Sequence, residues 1–408
     1  MEKTLRFNYR LTPAPEHELA LVDFGAYARG LWNLLLSENI RRYNYDKTFL
    51  FYKEMASLIK ELKAFPEFQW IKNFDAAAAQ QVARDLDTAL RKAFSKTDRQ
   101  CFPKHKVTFR EKKLHNDSFR IVNNSNCIKV EKGCVSIPKI GKVPIILHRK
   151  LVSAIKTATV KYLHGKWYIS FTQVVQGNTA KTLLKSIVGY DINSNQTVVG
   201  SDGFIADNPK YLKITKRKMN TLQRQLARRN KGSGRWKKTK QRLNALHGKI
   251  SRQRLNFAHN VAKQIANASD IVVFEDLNVK GMQQFNGKMV SDNVMGLITQ
   301  LTKYKTELNG NLYHEINRFT KSTGICMACG QHHLLTLNQR TFTCTKCHFT
   351  QSRDGAASKS IERTGESELI AAGIVARGIP HGSAETTVKT KAFVRTKFVS
   401  GSEKNKAA

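Results

Sequence analysis

The chain has 408 residues, 69 Lys or Arg against 31 Asp or Glu, and a formal net charge of +38. Its 41% apolar and 9% aromatic content excludes wholesale disorder, and the length fits two or three domains. A charge this far above the usual magnitude of about 2–8 for a small soluble domain calls for a polyanionic partner, nucleic acid ahead of an anionic membrane.

Residues 3–12 alternate, with Leu5, Phe7, Tyr9 and Leu11 on one face, which reads as a strand ended by Pro13 and Pro15. Helices are expected over Glu16–Tyr43, Tyr52–Leu62 and Ala76–Phe94. Residues 106–175 are β-rich, with strands expected at Val107–Arg110, Phe119–Val122 and within Thr157–Val174. Ile187–Ile192 reads as a short apolar strand that carries Asp191, and a hairpin returns through Gln196–Val199 to the turn Ser201-Asp202-Gly203. A long helical stretch from Lys210 to Ala268 is broken into a hairpin at Lys231-Gly-Ser-Gly234. A second apolar strand at Ile271–Phe274 ends in Glu275, followed by a helix over Ser291–Lys305 and a strand at Leu312–Ile316. Another helix begins near Asp354, and residues from Gly365 on read as a mobile tail. The N-terminus has no basic region leading into an apolar stretch, and no segment reaches the ~18 continuous apolar residues of a spanning helix, so a cytoplasmic protein is expected.

Two constellations carry chemistry. Cys326-Met-Ala-Cys329 and Cys344-Thr-Lys-Cys347 are two knuckles with the spacing of a zinc ribbon, and four thiolates close a structural site. His332, His333 and His348 read as surface residues beside it, and Cys101, Cys127 and Cys134 as ordinary buried thiols. The second set is Asp191, Glu275 and Asp354. Two end apolar strands and one opens a helix, so all three are positioned to converge at one sheet edge. Three carboxylates there could hold two Mg²⁺ about 3.5–4 Å apart for in-line phosphodiester hydrolysis.

The sequence resembles TnpB, the insertion-sequence-encoded RNA-guided nuclease family related to type V CRISPR effectors. The resemblance is carried by Gly189-Tyr-Asp191-Ile-Asn193, by Phe274-Glu275-Asp-Leu-Asn278, and by Thr320-Lys-Ser-Thr323 with the four cysteines and Arg353-Asp354-Gly-Ala-Ala357. Weaker matches are Phe102-Pro-Lys-His-Lys106, Ile137-Pro-Lys-Ile140 and His148-Arg149. The resemblance implies an α/β multidomain fold. An OB-like wedge β-barrel (1–14 and 95–182) would carry a helical recognition insertion (15–94). An RNase H-like RuvC nuclease domain (183–320 and 348–364) would carry the zinc ribbon (321–347), ahead of a flexible tail (365–408). It also implies that Asp191, Glu275 and Asp354 are catalytic acids, and that the partners of a monomeric ribonucleoprotein are a guide RNA from the transposon end and double-stranded DNA with a short flanking motif. Tyr190, Asn193 and Gly355 depart from the commonest family residues without removing a carboxylate.

By position in the family, Phe51, Tyr52, Gln80 and Gln81 are candidates for reading the flanking motif, because Gln pairs with adenine and a ring contacts a thymine methyl. The alternative is ordinary packing and helix surface. Residues 211–255 hold sixteen Lys or Arg and no acid. Lys213, Lys216, Arg217, Arg224 and Arg228 recur at helical spacing, and a run that forgoes i,i+4 ion pairs favours contact with a nucleic-acid backbone. Trp236, between Arg235 and Lys237, stacks on a base or packs the hairpin tip. Three rivals are weighed: a nuclease-inactive guided repressor, which three intact acids oppose; a DNA-joining transposase, which lacks a His-hydrophobic-His motif with a nucleophilic Tyr; and a zinc-ribbon RNA-binding protein, which leaves the acids unexplained.

Overall fold

The computed structural model describes residues 2–95, 100–106, 117–193, 196–277, 294–317, 320, 323–336 and 339–374. Two compact units emerge. One comprises Glu2–Gln176 with Met219–Lys249, the other Gly177–Lys218 with the chain from Ile250 on.

In the first unit, strands β1 (Glu2–Leu11), β2 (Ser118–Val122), β3 (Val130–Glu131), β4 (Cys134–Ile137), β5 (Gly141–Ile146), β6 (Thr157–Leu163) and β7 (Lys166–Gln176) form one antiparallel sheet, ordered β2-β6-β7-β1-β5-β4-β3. The β1 alternation is realised as read: Tyr9 and Leu11 are buried and Arg6, Asn8 and Arg10 exposed, while the strand pairs along its whole length with β7. No pairing of β2 with β3 closes the sheet among the described residues. Helices α1 (Pro15–Asp46), α2 (Tyr52–Leu62), α3 (Trp70–Asn73) and α4 (Ala76–Phe94) follow β1. Asp75 caps α4 by accepting the Ala78 N–H at 2.9 Å. Apolar residues at helical spacing on α1 (Leu21, Phe24, Ala28, Leu31, Leu35) and α4 (Ala79, Val82, Leu86, Leu90) enter one core with Phe119, Val135, Ile169 and Phe171 of the sheet. The stretch 15–94 is therefore layered on the sheet and shares its core. Cys101 and Cys127 are exposed and Cys134 is half-buried, a correction to the buried thiols expected, since none of the three falls on a core-facing station. The strand expected at Val107–Arg110 lies outside the described residues.

The second unit is a three-layer α/β/α sandwich. Its sheet runs β10 (Ile205–Asp207), β9 (Gln196–Gly200), β8 (Ile187–Asp191), β11 (Ile271–Glu275), β12 (Leu312–Ile316). The last three are parallel, and β9 and β10 antiparallel. Strands buried on both faces read as continuous apolar runs, and β8 and β11 do so. One face, with Val188, Tyr190, Val272 and Phe274, packs on the end of α6 (Gly234–Ala268) and on α7 (Met295–Leu308). The other, with Ile187, Ile271 and Val273, packs on Ile361 and Leu369 of α8 (Arg353–Ala371).

The helix α5 (Tyr211–Arg228) turns through residues 229–233 into α6, as expected from the glycines. At ~1.5 Å per residue, the 35 residues of α6 span about 50 Å, longer than one domain face, and Met219–Lys249 groups with the first unit. The nuclease-domain boundary drawn at 183–320 thus differs from the structure in this stretch and in its start, since Gln176 closes the first unit. The tail expected from Gly365 is corrected as well. α8 continues to Ala371, because a Cβ at Gly365 would lie 2.6 Å from Val273 Cγ1 and Leu369 is 2% exposed. Residues 375–408, the start of the Ser291 helix and Asn278 lie outside the described residues. No helix among the described residues is long and apolar enough to cross a membrane.

Candidate metal and acid site

The parallel register aligns Tyr190 with Phe274. Asp191 and Glu275 are the next residues, side by side at the carboxyl ends of adjacent strands about 4.8 Å apart. Tyr190 and Phe274 stack on the α6/α7 face, with centroids 5.4 Å apart. Because strand side chains alternate, Asp191 and Glu275 fall on the opposite face, with Gly189 and Val273 under α8. Gly189 is required there: a Cβ would meet the Glu362 nitrogen and the Ser358 carbonyl oxygen of α8. Asp354 sits one turn before Ser358, in the first turn of α8. Ser352 caps that helix by accepting the Gly355 N–H at 3.2 Å. Gly355 serves this cap, since a Cβ would fall 2.6 Å from Ser352 Oγ.

Electrostatics reports the same convergence. Burial pushes the Asp191 carboxyl up to about 6. A hydrogen bond from Asn193 Nδ2, at 3.3 Å, works against this, the Asp354 and Glu275 charges reinforce it, and Arg353 opposes it. The family departure at Asn193 thus supplies a direct partner to Asp191. Two arginines join the surroundings of the acids. Arg340 Nη1 lies 3.9 Å from Asp354 Oδ2, and Arg353 donates to the Thr336 carbonyl at 3.2 Å. Arg353 adjoins Asp354 in sequence and so carried a signal. Arg340 is brought in only by the ribbon fold.

The four cysteines meet as read. Their sulfurs all lie within 4.8 Å of one another, with Cys326–Cys347 at 3.6 Å and Cys329–Cys344 at 3.5 Å. Each knuckle places the residue after its second cysteine, Gly330 or His348, at positive φ. Burial pushes the Cys344 thiol up, but the backbone N–H groups of Cys347 and Lys346 and the His333 ring outweigh it and carry it down. At Cys347 the Phe349 backbone lowers the thiol, yet burial and the three neighbouring sulfurs carry it up. Four sulfurs so close cannot all ionise without a cation, so the donor set fits a thiophilic metal. His333 is half-buried with Nε2 3.3 Å from Cys344 Sγ, a correction to its reading as a surface residue; His332 and His348 are exposed. No second set of His, Cys, Asp or Glu of this closeness occurs among the described residues, so the acid trio is the wider cluster. The ribbon strands β13 (Thr341–Thr343) and β14 (Thr350–Ser352) run directly into α8.

Of the candidates on the helical layer, Phe51 lies under Arg91 (4.6 Å) and Tyr52 under Arg84 (4.7 Å). Gln80 is exposed, and Gln81 donates to Asp85 at 2.7 Å. Along the hairpin Lys213, Lys216, Arg217, Arg224, Arg228 and Arg235 are exposed, while Trp236 is half-buried with Lys240 Nζ 4.7 Å over its ring. The weaker motifs have structural work. Asn33 exchanges hydrogen bonds with the Lys106 backbone at 2.8 and 2.7 Å, and Lys139 Nζ donates to the Lys72 and Phe74 carbonyls. His148 accepts from Arg149 at 3.1 Å, and burial, with Arg149, lowers its pKa.

The chain is thus a mixed α/β protein with three half-buried acids and an attached four-cysteine ribbon. Three family profiles match: an OrfB_IS605 domain described as "Probable transposase" over 159–286, a Cas12f1-like TNB domain over 296–361, and an OrfB_IS605 helix-turn-helix domain over 1–48. These matches support the likeness to the TnpB family. It is 28% identical over 291 residues to "Putative RNA-guided DNA endonuclease InsQ" of Escherichia coli (strain K12), covering 71% of this chain and 70% of the relative. It is 25% identical over 367 residues to a "Putative RNA-guided DNA endonuclease" of Streptomyces pristinaespiralis, covering 88% and 89%. A solved Cas12f1–sgRNA–target DNA complex overlays 89% of this chain and 99% of its own at 16% identity, with a TM-score of 0.33.

Proposed function

We propose that this protein is an RNA-guided DNA endonuclease of an insertion sequence, cutting double-stranded DNA beside a short flanking motif at one RuvC-type site. The observation that carries the reading is the approach of Asp191, Glu275 and Asp354 from two adjacent strand ends and one helix start, with Asp191 half-buried and raised to about 6. These three acids would hold Mg²⁺, which when bound supplies Lewis acidity and an activated water. Asn193 orients the Asp191 carboxylate. Asp354 lies in the first turn of α8, with Arg340 Nη1 3.9 Å from its carboxylate. Cys326, Cys329, Cys344 and Cys347 would hold a structural Zn²⁺ that keeps the ribbon, and with it Arg340, against the start of α8.

The partners in this reading are a guide RNA from the transposon end and the target duplex, bound by a monomeric ribonucleoprotein in the cytoplasm. The acid-free hairpin would grip the guide–target duplex by its phosphates, with base pairing reading the sequence. Phe51, Tyr52 and Gln80 would face the flanking motif; Gln81, engaged with Asp85, would have to give up that bond to join them. The test is to express the chain with its flanking DNA, purify it with bound RNA, and add matched DNA and Mg²⁺. Both strands are cut by wild type and neither by Asp191→Ala. Absence of copurifying RNA, or cleavage unchanged in Asp191→Ala, overturns the proposal.

A further inference from the structure

Glu362 is a carboxylate that no role above uses, and it is 4% exposed inside the second unit. A buried acid is costly unless it is hydrogen-bonded. Glu362 Oε2 accepts the hydroxyl of Ser201, at the turn after β9, and Ser201 Oγ in turn accepts the Gly189 N–H at 3.0 Å. The chain of bonds therefore runs from the backbone of β8, two residues before Asp191, through Ser201 to α8. Glu362 lies eight residues after Asp354 on that helix. At ~1.5 Å per residue the two are about 12 Å apart along the axis, too far for Glu362 to share a metal with the trio. Nor is Glu362 among the charges that act on Asp191. Its link to the trio is therefore through position.

Position is what the trio leaves open. Asp191 and Glu275 are held by the same parallel ladder, so their spacing follows from strand register. Asp354 is on a helix outside the ladder. That helix approaches the sheet closely at Gly189, where its backbone lies against β8, and at Gly365, where the Val273 side chain fills the gap, and the bonds from Glu362 through Ser201 to Gly189 tie it to β8 along that contact. We propose that Glu362, pinned by Ser201, is a positioning residue that sets the register of α8 on β8 and thereby the placement of Asp354 beside Asp191. The proposal rests on the acid trio being a divalent-metal site.

Its test is Mn²⁺ binding to the full-length ribonucleoprotein, followed by electron paramagnetic resonance, with zinc content and thermal midpoint measured on the same samples. Glu362→Ala and Ser201→Ala are expected to weaken Mn²⁺ binding about tenfold or more with zinc content unchanged. Glu362→Gln, which still accepts from Ser201, is expected to stay within about twofold of wild type. Folded Glu362→Ala and Ser201→Ala proteins with wild-type Mn²⁺ affinity overturn the proposal. So does a Glu362→Gln protein as impaired as Glu362→Ala, because the charge would then matter and not the bond. If Asp191→Ala leaves Mn²⁺ binding intact, the metal-site reading falls and takes this one with it.

Discussion

Replacing Asp191 by Asn separates the cost of the site from its use. The Asp191 carboxyl is raised from its ordinary 3.8 to about 6, first by burial and then by the Asp354 and Glu275 charges. An acid raised on folding binds its proton more tightly in the native state, so native stability declines as pH rises from about 4 through about 6 and stays low above that. At about 1.4 kcal/mol per pH unit, the penalty near pH 7.5 is about 3 kcal/mol. Asparagine has nearly the same shape and no charge, and it can still meet Asn193. Asp191→Asn is therefore expected to abolish cleavage and to stabilise the second unit by up to about 3 kcal/mol at pH 7.5 without divalent cations. A unit of this size shifts by about 2–4 °C per kcal/mol, so the midpoint should rise by about 6–12 °C. The gain should shrink toward zero near pH 3, below both values, where the wild-type acid is largely protonated in both states. Adding Mg²⁺ should stabilise wild type and not the variant. Thermal unfolding of both proteins at the two pH values, in divalent-free buffer without chelator, is the assay. A variant no more stable than wild type at pH 7.5, or a gain independent of pH, would refute the reasoning.

Gly189→Ala drives a methyl into the backbone of α8 and should cost at least ~1–3 kcal/mol, read as a lowered urea midpoint, with cleavage lost in step. Cys344→Ser should remove zinc, measured by atomic absorption. It should also impair cleavage although Cys344 is not among the acids, because the ribbon runs directly into α8. Arg224→Glu with Arg228→Glu should weaken binding of the copurified RNA and flatten its salt dependence. Each phosphate no longer neutralised takes about 0.7–0.9 from the slope of log K against log salt, so a slope equal to wild type would assign these residues to free surface.

The local elements were legible because their signals are local. The β1 alternation, the two apolar strands ending in Asp191 and Glu275, the glycine-marked hairpin and the cysteine knuckles each depend on residues a few positions apart. The end of α8 was not legible. The residues from Gly365 on read as a tail without periodicity, but Gly365 is a position where helix and sheet approach closely, at Val273, and packing there outweighs intrinsic propensity. His333 was misread for a related reason: it follows a loop in sequence, and only ribbon closure brings its ring against Cys344.

Taken by itself, the sequence determined which residues carry charge and metal-binding capacity, since side-chain chemistry and spacing within a strand, helix or knuckle are properties of the chain. It placed much of the +38 charge on one acid-free hairpin and pointed three acids toward a sheet edge. Tertiary structure alone decided how those acids feel one another. Parallel register sets Asp191 beside Glu275, the missing Cβ at Gly189 admits α8 with Asp354, and burial with that company lifts Asp191 to about 6. Arg340, Ser201 and Glu362 entered only there, because hydrogen bonds and ion pairs between distant segments depend on packing geometry, and packing geometry has no local sequence signature.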